Sequence, residues 1–395
     1  MPDYEDFFSQ HENTGLQEET RLPFESSRGC WWGQKHLCSF CGLNGTNLSY
    51  RTKSPERVIA ELRSQFLRHG VRQFSAADNI LDMAYLKTFL PGLKRLHEEL
   101  GIELFYETKS NLRGDQVRAL AEAGVTAVQP GIESFSDHIL KRMDKGTTGL
   151  NQVRFLRDCT SNGVEPHYGI LWGNPGETRE DYERMTALVP LIQHLPPPKY
   201  VVPVVLQRFS PYFLSPGKYG IRNVRPAPIY EAIFAGCPID TTDIAYFFQY
   251  EHDFDQDAGL RRAINDFIQA TYEWKKTYRP FSLLSCVMDG ILYVCDGRNG
   301  APRMLRLAGP EMAVFQFCEV PRPEGSLREA FPDLPEPRLR ALLEHLVSRG
   351  LLLHWVDERS GKYVSLPIQV STEVFYEHGL KPLLELDDEE ARELA

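Results

Sequence analysis

The chain has 395 residues, enough for two or three domains, and its 42% apolar content is that of an ordinary globular protein. A formal net charge of −10 without a long basic block argues against a protein that grips nucleic-acid phosphates. No apolar run approaches the ~18 residues of a membrane span, and the acidic start Met1-Pro2-Asp3-Tyr4-Glu5-Asp6 lacks the basic and apolar regions of a signal peptide. The expected location is the cytoplasm, with neither nucleic acid nor membrane as partner.

From about Leu22 to Tyr212 short apolar runs alternate with amphipathic ones. Phe24 closes a first strand; Pro55 opens a helix, as proline does at an early helical position. Strand Val71–Ala76 precedes helix Leu86–Leu100, strand Leu104–Glu107 precedes helix Asp115–Ala123, and strand Thr126–Gln129 precedes helices Asp137–Met143 and Leu150–Asn162. Strand His167–Trp172, helix Arg179–His194 and strand Lys199–Gln207 complete the series. Such alternation implies βαβ units and a parallel sheet, with chemistry at the C-terminal strand ends. Six units match a partial (β/α)6 barrel.

Residues 216–280 read as an aromatic, helical bridge, as in Ala245-Tyr246-Phe247-Phe248 and Leu260–Trp274. Leu283–Val287 and Ile291–Cys295 flank a Gly-containing turn, and Met304–Leu307 adds a strand. Helices Glu311–Cys318, Leu327–Phe331 and Arg338–Arg349 follow, the last stopped by Gly350. A hairpin, Leu351–Val356 and Lys362–Leu366 joined through Asp357-Glu358-Arg359-Ser360-Gly361, ends the pattern. The expected domains are an extension (1–20), an α/β barrel (21–215), the bridge (216–280), a winged-helix unit (281–370) and an acidic tail (371–395) carrying Asp387-Asp388-Glu389-Glu390. The alternative for the winged-helix segment is a dimerisation or purely structural tail.

Three of eight cysteines, Cys30, Cys38 and Cys41, fall within twelve residues. Clustered thiols in a cytosolic chain suggest a metal rather than a disulfide scaffold. A cubane iron–sulfur cluster has four irons, so three thiolates leave one iron open. The alternative is structural zinc on Cys30, Cys38, Cys41 and His36, although zinc sites usually pair two knuckles.

The stretch from Glu25-Ser26-Ser27-Arg28-Gly29-Cys30-Trp31-Trp32-Gly33 to Cys38-Ser39-Phe40-Cys41-Gly42-Leu43-Asn44-Gly45, continued by Tyr50-Arg51 and Lys53-Ser54-Pro55-Glu56-Arg57, resembles the radical S-adenosylmethionine (SAM) superfamily. More narrowly it resembles the radical SAM proteins that mature ribosomally made peptides such as bacteriocins, over most of residues 20–250. The first cysteine gap is longer than the superfamily's usual one, but typical of this group. The resemblance implies a [4Fe–4S] cluster on Cys30, Cys38 and Cys41, SAM chelated at the open iron, and reductive SAM cleavage to a 5′-deoxyadenosyl radical. It also implies SAM contacts: Asp78 and Asn79 toward the amino group, Lys109 toward the carboxylate, Glu133 and Ser134 at the ribose, and the turn containing Gly173 and Glu177 at the adenine. Lys109 by itself reads as a surface lysine.

By the same resemblance the tail looks like a peptide-recognition domain to which a leader peptide adds as a strand. The expected partners are therefore a precursor peptide and an electron donor such as flavodoxin or ferredoxin. Relatives in that group carry an N-terminal cobalamin domain, whereas only about thirty residues precede Cys30. Cobalamin is expected only from another chain or a missing domain, and C-methylation, epimerisation, crosslinking and desaturation stay open. A small-molecule substrate and a non-catalytic, zinc-stabilised peptide binder are the other readings. Cys159, Cys237 and Tyr212 are substrate-side candidates beside their plainer reading as core residues.

Overall fold

The computed structural model describes residues 2–11, 20–45, 47–252, 257–356 and 361–381. Two compact units result: one from residues 1–147, 163–182 and 199–265, the other from 148–162, 183–198 and 266–395.

In the first unit, β1 (Arg21–Phe24) leads to a short antiparallel ribbon of β2 (Ser27–Arg28) and β3 (Arg51–Thr52). Next come β4 (Gln73–Ala76), β5 (Glu103–Glu107), β6 (Val125–Gln129), β7 (Glu165–Pro166), β8 (Gly169–Trp172) and β9 (Tyr200–Pro203). Strands β1, β4, β5, β6 and β7 form one parallel sheet in that order, and β8 pairs in parallel with β9. A parallel bridge from Glu133 to Ile170 ties β8 to the segment after β6. The expected run His167–Trp172 contains β8, while β7 lies just before it, and with these two counted together there are six parallel positions in sequence order.

Helices form where the pattern places them. Pro55–His69 is capped by Ser54, whose hydroxyl accepts from the Arg57 N–H at 3.3 Å, and it ends at Gly70 with φ 70°. Its buried Val58 and Leu62 lie one turn apart on a single face. The expected helix Leu86–Leu100 breaks at Phe89 into Tyr85–Thr88 and Leu90–Leu100. Pro91 is the reason: it has no N–H to continue the ladder but suits a first turn.

The expected helical bridge needs correction. β10 (Leu206–Gln207), β11 (Arg222–Pro226) and β12 (Phe247–Glu251) form an antiparallel sheet in the order β10-β12-β11. Phe248 is buried while Phe247 and Gln249 are exposed, a period of two that makes this aromatic run a strand. Leu260–Trp274 does lie in a helix, Ala258–Thr277.

The second unit holds β13 (Leu283–Met288), β14 (Ile291–Asp296) and β15 (Arg303–Leu307). Helices Gly309–Phe317, Glu324–Ala330 and Glu336–Ser348 follow, with β16 (Arg322–Pro323) between the first two. After them come β17 (Leu352–Val356), β18 (Gly361–Ser365) and β19 (Ile368–Gln369). The sheets run β15-β14-β13-β19 and β16-β18-β17. Buried Arg157 donates to the Ser365 carbonyl at 2.7 Å and the Glu319 carbonyl at 2.6 Å, tying helix Gly149–Ser161 to β18.

The expected tail begins in order: Thr372–Phe375 is helical and Phe375 is buried. Asp387-Asp388-Glu389-Glu390 and the 357–360 part of the wing turn lie outside the described residues. Among the described residues no helix is long and apolar enough to cross a membrane.

Candidate active site

The β2–β3 ribbon closes the feet of a loop containing all three clustered cysteines. Gly29, at φ 82°, lies so close to the Ser49 carbonyl that a Cβ would stand 2.3 Å from it, so only glycine fits. Trp31 donates its indole N–H to the Leu81 carbonyl at 3.0 Å, and Trp32 donates to the Asp144 carbonyl at 2.9 Å. The Ser39 N–H reaches the Met143 carbonyl at 3.0 Å, and the Gly42 N–H reaches Gln207 Oε1 at 2.9 Å. Each half of the loop is thereby pinned beside the C-terminal ends of the parallel strands.

Cys30, Cys38 and Cys41 are half-buried, while Cys159, Cys286, Cys295 and Cys318 are buried and Cys237 is exposed. Burial pushes the Cys41 thiol up to about 11, and Cys38 and Cys30 push the same way. Burial also raises Cys38, against the nearby Lys145 and Lys109 ammonium groups. Three thiols within electrostatic reach of one another suit a centre that takes them as thiolates and displaces their protons. Among the described residues no three His, Cys, Asp or Glu side chains close around a single ion. One zinc holds all its sulfurs at about 2.3 Å, whereas a cubane gives each thiolate its own iron. His36, the fourth ligand of the zinc alternative, stacks on Trp32 at 4.5 Å and faces Asp144 at 3.5 Å.

The segment after β5 carries a second mark of a ligand site. Thr108 Oγ1, Lys109 Nζ and Ser110 Oγ are consecutive, buried and without a hydrogen-bond partner. Lys109 is no surface lysine: its Nζ lies 2.8 Å from the centroid of the Trp32 ring. Burial, then repulsion by Lys145, lowers it to about 8, and the Cys38 and Cys30 thiols oppose that shift. A buried, unpaired ammonium is costly and suits an anionic group.

Glu133 follows β6 with φ 60°, a left-handed conformation that is strained for a non-glycine residue and recurs at functional sites. Its Oε1 stands 3.6 Å from Lys145 Nζ. The other expected contacts are committed elsewhere. Ser134 is buried and its hydroxyl accepts from the Ser136 N–H at 3.1 Å. Glu177 accepts from the Gly173 N–H at 2.8 Å, from Asn174 Nδ2 at 2.7 Å and from the Tyr182 hydroxyl, so it locks its own turn. Asp78 accepts from the Ser26 N–H at 2.8 Å and from the Ser26 and Ser27 hydroxyls. It clasps the segment after β1 to the segment after β4. Asn79 donates to Asn44 Oδ1 at 2.7 Å and lines a polar pocket of about 400 Å³ beside the loop.

Tyr212 is buried with its hydroxyl 3.4 Å from Asn174 Oδ1, and Cys159 belongs to helix Gly149–Ser161 of the second unit. Sequence reasoning missed Lys145 and Glu107. Lys145 sits in a turn shaped by Asp144 (φ 53°) and Gly146 (φ 58°), and a Cβ on Gly146 would collide with the Trp32 ring at 2.2 Å. Burial, then the Glu133 charge, pushes the Glu107 carboxyl up to about 7. Lys145 is a lone cation with no motif spacing; only Glu107, at a strand end, had a signal.

Burial raises Glu177 to about 7, against its three donors. A folded value above the ordinary carboxylate one means that stability falls as pH rises from ~4.5 to about 7 and is level above. Glu177→Gln flattens that slope, by at most about 3 kcal/mol, in urea midpoints taken at pH 5, 6 and 7.5. An unchanged slope contradicts the buried carboxyl.

Parallel strands in sequence order with a three-thiol loop at their C-terminal ends define an α/β protein with a candidate sulfur-ligated centre. Residues 24–189 match the Radical SAM superfamily model, so this part of the chain carries a radical SAM domain. The family implies a [4Fe–4S] cluster and SAM. An uncharacterized methyltransferase of Pyrococcus horikoshii is 28% identical over 160 residues, 40% of this chain and 34% of that protein. A ribosomal-protein methylthiotransferase of Thermotoga maritima is 27% identical over 207 residues, 49% of this chain and 47% of that one. The chain therefore spans less than half the length of these relatives. Among solved structures, the radical SAM methyltransferase TsrM of Kitasatospora setae, with tryptophan and a SAM analogue bound, shows 18% identity and a TM-score of 0.49 over 65% of this chain and 53% of that one.

Proposed function

We propose that the chain cleaves SAM reductively at a [4Fe–4S] cluster on Cys30, Cys38 and Cys41 and modifies a ribosomally synthesised precursor peptide. The observation that carries the SAM site is the unpartnered run Thr108-Lys109-Ser110, whose lysine covers Trp32 of the cysteine loop. When bound, cluster and SAM supply a 5′-deoxyadenosyl radical able to abstract hydrogen. The chain's residues do the rest. Lys109 would hold the SAM carboxylate, Glu133 would accept from ribose hydroxyls, and Trp31 and Trp32 keep the loop from shifting.

The peptide reading rests on the second unit. Two antiparallel hairpins flank three helices, as in a winged helix, and among the described residues β15 has no strand on its outer side in that sheet. An extended leader would add there through backbone hydrogen bonds. Methyl and methylthio transfer by the relatives supports a group-transfer reaction, with cobalamin from another chain or domain where methylation is the outcome.

Two measurements on the full chain test this. Anaerobically purified protein with SAM and a low-potential reductant should release 5′-deoxyadenosine. A leader peptide, followed by fluorescence anisotropy, should bind with at least micromolar affinity. Release without any peptide binding would move the substrate to a small molecule.

A further inference from the structure

Lys145 is a polar residue of the site with no role so far. The turn that carries it is docked on both halves of the cysteine loop. Trp32 donates to the Asp144 carbonyl at 2.9 Å, and the Ser39 N–H and hydroxyl reach the Met143 and Arg142 carbonyls at 3.0 and 2.9 Å. The Lys145 side chain is only 12% exposed. Its ammonium lies 5.7 Å from the centroid of Phe40, the ring between Cys38 and Cys41, and 3.6 Å from Glu133 Oε1. A Cβ on Gly131 would stand 3.0 Å from the same nitrogen, so it is boxed in on that side as well.

From this placement we infer that Lys145 is a fixed positive charge that sets the reduction potential of the cluster, a positioning residue and not a ligand of SAM. The inference rests on the cluster reading above. Adding one electron to a centre ringed by thiolates makes it more negative, and a buried cation at short range favours that state in a low-dielectric setting. Two features separate Lys145 from Lys109. Lys145 already has a carboxylate neighbour and packs against Phe40, between Cys38 and Cys41, whereas Lys109 has no hydrogen-bond partner and covers the Trp32 ring. The two ammonium groups divide the work: Lys109 meets the incoming carboxylate and Lys145 stabilises the electron.

The test is a potentiometric titration read by electron paramagnetic resonance on wild type, Lys145→Gln and Lys145→Arg, without SAM. In Lys145→Gln the ratio of reduced to oxidised cluster at a fixed applied potential should fall at least ~10-fold, a downward shift of at least about 59 mV for one electron. Lys145→Arg should keep the wild-type ratio, and SAM affinity should change less than ~3-fold in either variant. Should Lys145→Gln lose its cluster, Lys145→Met replaces it in the same comparison. An equal shift in Lys145→Arg, or an unchanged ratio in the uncharged variant, overturns the inference. A wild-type protein with no cluster defeats the site assignment instead.

Discussion

Cys38→Ala, purified without oxygen, should be colourless, with the 400 nm iron–sulfur absorbance and 5′-deoxyadenosine formation both at background. Each iron of a cubane needs an outer ligand, and with Cys38 gone the loop offers two thiolates where the cluster takes three. Cys38 is half-buried and the loop is pinned by backbone and tryptophan contacts. The alanine variant should therefore keep the wild-type circular dichroism spectrum and still bind the leader peptide. Iron content and absorbance check the first part, and anisotropy the second. A brown Cys38→Ala protein with four irons per chain would remove Cys38 from the cluster. A colourless wild type that carries one zinc would reinstate the zinc alternative.

Asp78→Ala should give the largest loss of stability. The carboxylate is 1% exposed and is the shared acceptor for the Ser26 N–H and two serine hydroxyls. Truncation leaves those donors unpaired beside β1, and the expected cost is about 4 kcal/mol, from ~1–3 kcal/mol per stranded group with partial relaxation. Urea unfolding measures it. The same variant separates two assignments of Asp78. If it held the SAM amino group, the folded fraction of Asp78→Ala would bind SAM at least ~10-fold more weakly. The clasp geometry predicts SAM affinity within ~2-fold of wild type once folding is corrected for, by isothermal titration below the unfolding midpoint.

The contrast between Lys109 and Asp78 shows where local pattern stops being informative. Both follow strands of the parallel sheet, and both stand where the resemblance puts a SAM contact. Only Lys109 remains unpaired in the folded chain, because Asp78 meets Ser26 and Ser27, more than fifty residues away. A carboxylate after a strand looks the same in sequence whether a ligand or a neighbouring strand takes its lone pairs. Glu177 repeats the lesson at closer range, since Tyr182 and Gly173 satisfy it from within its own turn. The aromatic run Phe247–Glu251 failed differently. Its period is short, its ladder partners Leu206 and Gln207 are forty residues distant, and burial alone distinguishes such a strand from a helix.

By itself the amino-acid order determined the alternation of strands and helices, the parallel sheet that follows from it, and the grouping of Cys30, Cys38 and Cys41. Hydrophobic period, proline and glycine placement and cysteine spacing act over a few residues, so they can be read along the chain. Tertiary structure alone decided which polar groups are free and which are taken. It assigned Asp78, Ser134 and Glu177 to holding the backbone, left Lys109 open, and brought Lys145 beside thiols a hundred residues earlier. The physical reason is that hydrogen-bond partnership and electric field depend on distance in space, and no rule of spacing encodes that distance.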